Sequence, residues 1–192
     1  MRNLILWLSP ILLFAFKPTD DCPSSYRWDN KIMIDAKGLS LFHKTPGSST
    51  MNTVVHYTKP PNNQLGANRG SIESKKVTVT ALLIGLGKER DQDYHLILCS
   101  TNHKDSMIAE IPDPDCPKLN DFIGLRERFS KARQFIKDNV DDTPGGIHYL
   151  PDDKVIKVKV TGMLFFDKKA HGNGHARNDI EIHPVLKIVK AN

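Results

Sequence analysis

Near the C-terminus, His171, His175, Arg177, Asn178, Asp179, Glu181 and His183 fall within 13 residues of one another. Imidazole beside carboxylate is the pairing that ligates zinc or a similar divalent cation, or that acts as general base and general acid. The neighbouring Lys168, Lys169 and Arg177 suit a different chemistry, the neutralisation of phosphate or sulfate groups. His171 and His175 are four apart and would share a face on a helix, but Gly172-Asn173-Gly174 between them makes the segment a loop.

Two strand-like runs flank that loop, KVKVTGMLFFD before it and DIEIHPVLKIV after it. Upstream, SKKVTVTALLIGL, DYHLILC and SMIAEIP alternate and are rich in β-branched residues. Polar turns GKERDQ and STNHKD separate them, so the three form a meander. The period changes between Asn120 and Val140, where Leu125, Phe129, Ala132, Ile136 and Val140 recur at three- and four-residue steps and define one helical face. Arg126, Arg128, Lys131, Arg133 and Lys137 fall largely outside that stripe.

The order strand, strand, strand, helix, strand, strand is that of an OB-fold, a small Greek-key barrel. Gly85 and Gly162 supply the local bends that closure needs. The fold expected is therefore mainly β, an OB-fold-like β-barrel over 74–192. An irregular N-terminal extension over 17–73 packs on it, and an export signal occupies 1–16. Within the extension, KIMID, LSLF and NTVVHY read as short strands or an extended arm.

Residues 4–16 are an apolar run of signal-core length behind a single Arg2, too short for a relaxed membrane span. The expectation is an exported protein, periplasmic or extracellular, tethered to the membrane if the signal stays uncleaved. In an oxidising compartment two of the three cysteines can pair. Cys22 and Cys116, both beside prolines, are the expected bridge, and Cys99 at the end of an apolar strand is expected to be a buried thiol. No two cysteines have the short spacing of a zinc site.

A chain of 192 residues carrying a formal charge of +5 has room for one sizeable core and favours anionic partners. An OB barrel binds ligands across its second and third strands, between the loop joining strands one and two and the loop joining strands four and five. Those loops hold Lys88 and Arg90 in the first, and Lys168, Lys169, His171, Arg177 and Asn178 in the second. The leading expectation is a binding module for an anionic polymer, nucleic acid or acidic glycan, or for a partner protein. Tyr94, Phe165 and Phe166 are the rings near that cleft, and burial is their expected fate.

Strand phase adds the rival. With Tyr94, Leu96 and Leu98 inward, His95 points outward. Met107, Ala109 and Ile111 inward put Glu110 outward, and Ile180 and Ile182 inward do the same for Glu181 and His183. Alternation of this kind is what a solvated sheet face requires, and a solvated face is the expectation. The alternative is a metal-dependent hydrolase or nuclease, with His171, Glu181 and His183 as metal ligands and Glu181, His183, His95 and Glu110 as catalytic candidates.

The runs DQDYHLIL, MIAEIPDPDC, VTGMLFFDKKAHG and ARNDIEIHPVLKI, with Trp28-Asp29-Asn30-Lys31 and Arg69 to Glu73 upstream, resemble a family of small exported bacterial proteins over roughly residues 22–189. The resemblance implies export and a single unit, and it carries no catalytic role. Where those relatives would show Gly-x-Ala-x-Asn-Gly, this chain has Gly174-His175-Ala176-Arg177-Asn178-Asp179, which ranks His171, Asn178, Glu181 and His183 above His175 as site residues.

Overall fold

The computed structural model describes residues 22, 26–140, 146–168 and 173–192. The proposed signal at 1–16, Lys169 and His171 lie outside these residues. The strands are β1 (Gly47–Ser48), β2 (Lys76–Lys88), β3 (Tyr94–Cys99), β4 (Ser106–Ile111), β5 (His148–Tyr149), β6 (Ile156–Phe166) and β7 (Ile180–Lys190). They hydrogen-bond in the order β1-β2-β3-β4-β7-β6, and β2 also pairs with β6, which closes β2, β3, β4, β7 and β6 into an OB-fold-like barrel. Strand β4 runs parallel to β7 with Ala109 opposite Ile182, while β5 adds to β2 outside the barrel.

Closure demands that β2 and β6 bend. The register of β2 against β3 shifts between Leu83 and Gly85, and that of β6 against β7 shifts on both sides of Gly162. At Gly162 a Cβ would collide with the carbonyl of Pro184 and the side chain of Ile182, so glycine there permits the close approach of β6 and β7. The interior is filled by alternate residues of the five barrel strands, among them Val79, Leu83, Leu96, Leu98, Met107, Leu164 and Ile182.

Four α-helices accompany the barrel among the described residues: α1 (Trp28–Lys31), α2 (Ala36–Leu41), α3 (Met51–Val55) and α4 (Ile123–Asn139). Helix α4 presents Leu125, Phe129, Ala132 and Ile136 to the core. Arg133 departs from its expected place outside the stripe. It is buried, stacks over Tyr94 at 4.3 Å, and donates to the carbonyls of Gln92 at 2.7 Å and Pro112 at 3.0 Å. Those bonds clamp the turn between β2 and β3 against the end of β4.

The N-terminal stretch corrects the sequence reading. KIMID, LSLF and NTVVHY contribute to short helices rather than strands, and the starts of α2 and α3 are capped locally. Asp35 accepts from the Gly38 N–H at 2.9 Å and Thr50 from the Thr53 N–H at 3.1 Å. Trp28, Ile32, Met33, Met51, Val54 and Val55 pack into the same apolar core as the barrel. The segment is tied down electrostatically as well. Arg69 pairs with Asp35 at 3.0 Å and donates to the Asn30 carbonyl, and Arg27 reaches Glu73 at 2.6 Å.

Cys22 and Cys116 form a disulfide, and Cys99 is a buried free thiol. The bridge spans 94 residues and ties the start of the described chain to the loop after β4. A crosslink over so long a loop restricts the unfolded ensemble, so a Cys22→Ala/Cys116→Ala variant is expected to lose about 2–5 kcal/mol of stability. Urea unfolding of the oxidised and variant proteins measures this, and coincident midpoints would contradict it.

Candidate metal centre

The outward face of β3, β4 and the first half of β7 is where OB barrels take ligands, and here it is not solvated. His95, Glu110, Glu181 and His183 are 2%, 5%, 4% and 0% exposed. Strand phase places them on the same side, as read from the sequence, but tertiary structure covers that side. Helix α1 lies over it, with Arg27 4.8 Å and Lys31 5.6 Å from the centre of the Phe165 ring, itself 5.9 Å from the His183 ring. Residues 173–179, before β7, also approach this side. Gly174, at φ 86°, sits so close to Ile97 on the outer face of β3 that a Cβ would overlap it.

Two sets of donors assemble beneath this cover. Atoms of Asp93, Glu110 and His183 lie within 4.8 Å of one another, as do atoms of Glu89, His95 and Glu110. Glu110 belongs to both. Its Oε2 stands 2.9 Å from Nδ1 of His183 and its Oε1 3.3 Å from Nδ1 of His95. His183 Nδ1 is also hydrogen-bonded to Glu181 Oε1 at 3.2 Å, and its Nε2 faces Asp93 Oδ2 at 3.5 Å. Glu89 Oε1 approaches His95 Nδ1 at 3.0 Å, and the Glu89 side chain, 37% exposed, opens the cluster to solvent.

The close approaches do not add up to a satisfied network. Asp93 Oδ2, Glu110 Oε2, His183 Nε2 and both ring nitrogens of His95 are buried with no hydrogen-bond partner, their neighbours being near but misaligned. Asp93 shows the division clearly: its Oδ1 accepts from the Asp113 N–H at 2.9 Å, which fixes the carboxylate and leaves Oδ2 aimed at His183. Two donors each about 2.1 Å from a tetrahedral ion stand about 3.4 Å apart. The 3.5 Å between Asp93 Oδ2 and His183 Nε2 matches that span. Glu181, bonded to the far ring nitrogen, then holds the imidazole in place as metal-binding histidines require.

Electrostatics reflect the same crowding. Burial raises Asp93 to about 6, with Asp91 and Glu110 adding to the shift against the pull of His183. Burial works against the charge on His95, yet Glu110 and Glu89 reverse this and lift it to about 9. For His183 the same contest, with Glu110, Asp93 and Glu181 on the winning side, leaves the ring well above the ordinary imidazole range. Burial opposes ionisation of Glu110, and His183, His95 and Lys31 overcome it; Glu181 is raised by burial and by Glu110. Lys31, despite its own burial, is raised by Glu181, Glu110, Asp167 and Asp91. Asp93, Glu110, Glu181, Glu89 and Asp91 thus share a pocket in which the cations on hand are two imidazoles and Lys31.

The cationic cleft expected between the two loops is only partly assembled. Lys88 is half-buried, while Arg90 and Lys168 are exposed. Glu89 and Asp91 interrupt the first loop with acid, and in the second Arg177 pairs with Asp105 at 2.8 Å. Asn178 serves the fold: its amide donates to the carbonyls of Tyr57 at 2.9 Å and Val54 at 3.3 Å, anchoring the loop on α3. Tyr94, Phe165 and Phe166 are buried. Reading the sequence missed Asp93, Glu89 and Lys31. Asp93 was detectable, since it lies two residues before His95 and shares its phase.

No family model, curated protein or solved structure matches this chain.

Proposed function

We propose that the chain is a divalent-cation-dependent hydrolase whose ion is held by Asp93, Glu110 and His183. The observation that carries this reading is the buried pair of Asp93 Oδ2 and His183 Nε2, 3.5 Å apart and without a hydrogen bond; Glu110 Oε2, 2.9 Å from Nδ1 of the same ring, also lacks one. Mixed imidazole and carboxylate donors favour zinc, manganese or iron over magnesium and calcium. Such an ion supplies Lewis acidity and lowers the pKa of a water in its reach.

The protein's own groups divide the remaining work. Glu181 orients the His183 ring through Nδ1. Glu89, at the solvent-facing edge, is placed to take the proton from the attacking water, and His95 beside it, held protonated by Glu110 and Glu89, to donate one to the leaving group. As the water oxygen bonds to the electrophilic centre its proton passes to Glu89, the bond to the leaving oxygen breaks, and the leaving oxygen takes a proton from His95. Lys31 on α1 offers a positive charge for the negative charge that develops. The Cys22–Cys116 disulfide is of a kind that persists in oxidising compartments. Among the described residues no helix is long and apolar enough to cross a membrane, and we read the enzyme as exported.

Hydrolysis of an activated phosphodiester by protein purified without a histidine tag tests this reading. Activity is expected to vanish on chelation and to return with zinc or manganese. Asp93→Asn and His183→Ala are each expected to lower kcat about 100-fold or more, with a smaller change in KM. Activity indifferent to chelation and to both substitutions would overturn it.

A further inference from the structure

Away from the metal centre, a groove of about 470 Å³ runs along the outer face of β2, β6 and β7, walled by the segment after α2 and by Arg128 of α4. Lys44, Lys76, Arg128, Lys159 and Lys187 line it together with His43, and no carboxylate does among the described residues. Arg128, Lys159, Lys187 and Lys44 are exposed. Lys76, half-buried, donates to the Phe42 carbonyl at 2.7 Å, and burial together with Arg128 lowers its pKa. Like charges gathered without counter-ions repel one another, an arrangement that becomes favourable when an anion fills the groove. Thr45, Thr78 and Thr161 add hydroxyls to the lining, Thr78 and Thr161 sharing a hydrogen bond at 2.7 Å.

We propose that this groove binds the backbone of double-stranded nucleic acid without regard to sequence, and thereby supplies the phosphodiester substrate of the hydrolase proposed above. Lysine, arginine and threonine are the side chains that contact phosphate and sugar. Proteins that hold single strands add aromatic platforms on which bases stack. Here the one aromatic carbocycle in the lining is Phe42, edge-on to His43 at 4.8 Å, so the groove reads charge rather than bases. A duplex keeps its bases stacked inside and offers the backbone alone.

The inference rests on the hydrolase reading only for the identity of the substrate, and binding is measured in excess EDTA so that it stands apart from catalysis. A short blunt DNA duplex, a single-stranded homopolymer of equal length and a heparin oligosaccharide are titrated across a salt series. The duplex is expected to bind at least about tenfold more tightly than either competitor, with log K falling against log salt at a slope of about −4 for four or five contacts. Lys159→Glu/Lys187→Glu, both on exposed strand positions, should weaken duplex binding by about tenfold or more and reduce that slope by about 2. Lys104→Glu/Lys154→Glu, equal in charge and outside the lining of the groove, should bind nearly as the parent does. Preference for the single strand or the glycan, or equal losses in both double variants, would overturn the proposal. If the hydrolase reading alone is wrong, the parent binds duplex as described and leaves it uncut with any ion.

Discussion

Glu110→Gln is expected to abolish tight metal binding and to reduce hydrolysis by about 100-fold or more. The size of the effect follows from the position of Glu110 between two imidazoles. Its two oxygens face His183 at 2.9 Å and His95 at 3.3 Å, so one carboxylate is shared by both donor sets, and no other residue in the cluster has that role. Glutamine keeps the volume and removes the charge, leaving a neutral amide in a place where a cation must be neutralised. Loss of fold is a separate outcome and is read separately: the variant's circular dichroism and thermal midpoint are recorded without metal, and zinc is then added. The parent should gain stability with rising zinc by mass action, and Glu110→Gln should not. Equal gains in the two proteins would show that the ion does not depend on Glu110.

Glu73→Gln is expected to cost about 3–5 kcal/mol at neutral pH, the range for removing one partner of a buried ion pair. Glu73 and Arg27 are 3% and 4% exposed at their side chains and meet through two bonds, of 2.6 and 2.8 Å. The carboxylate also accepts from the backbone N–H of Phe166 and of Gly70, each at 3.0 Å. Burial by itself would raise its pKa, but Arg27 and these two amides outweigh burial and hold it below the ordinary carboxylate range. A group depressed in this way stabilises the fold above its unfolded pKa of about 4.3, and the stabilisation is lost as pH falls through the lower folded value. Parent and Glu73→Gln should thus differ most at neutral pH and converge on acidification, as followed by urea unfolding at stepped pH. A constant difference across the range would contradict the account. Because Arg27 precedes α1, whose Lys31 lies over Phe165, the same substitution is expected to loosen the cover of the metal centre.

The five barrel strands and α4 were legible because each repeats its period over enough residues to be distinctive. SKKVTVTALLIGL alternates, and Leu125, Phe129, Ala132 and Ile136 step by three and four. Helices α1 to α3 run for four to six residues, less than two turns, which is too short for a period to show. In NTVVHY the adjacent valines carry a strand-like composition, and the Thr50 cap prevails locally.

For the site, strand phase told which side of the sheet His95, Glu110, Glu181 and His183 occupy, and the pairing of β4 with β7 made them neighbours. Phase cannot tell what covers that side. Burial beneath α1 and Gly174 is a tertiary fact, and it turned an expected solvated face into a closed acidic cluster. Asp93 shares the phase of His95 but sits in the turn just before β3, where the Asp113 N–H and the Arg133 clamp on Gln92 fix it. The cationic side chains were expected at two loops. Arg177 and Asn178 are instead engaged within the fold, and the groove that gathers lysines draws them from β2, β6, β7 and the segment after α2, positions far apart in sequence.

The most direct measurement is the metal content of protein purified without a histidine tag, combined with calorimetric titration of the metal-free chain with zinc. One tightly held ion per chain is predicted, with imidazole and carboxylate donors in its X-ray absorption spectrum, lost in both Asp93→Asn and His183→Ala. A chain that holds no stoichiometric ion after exposure to zinc, manganese or iron, with a thermal midpoint none of them moves, would contradict the account.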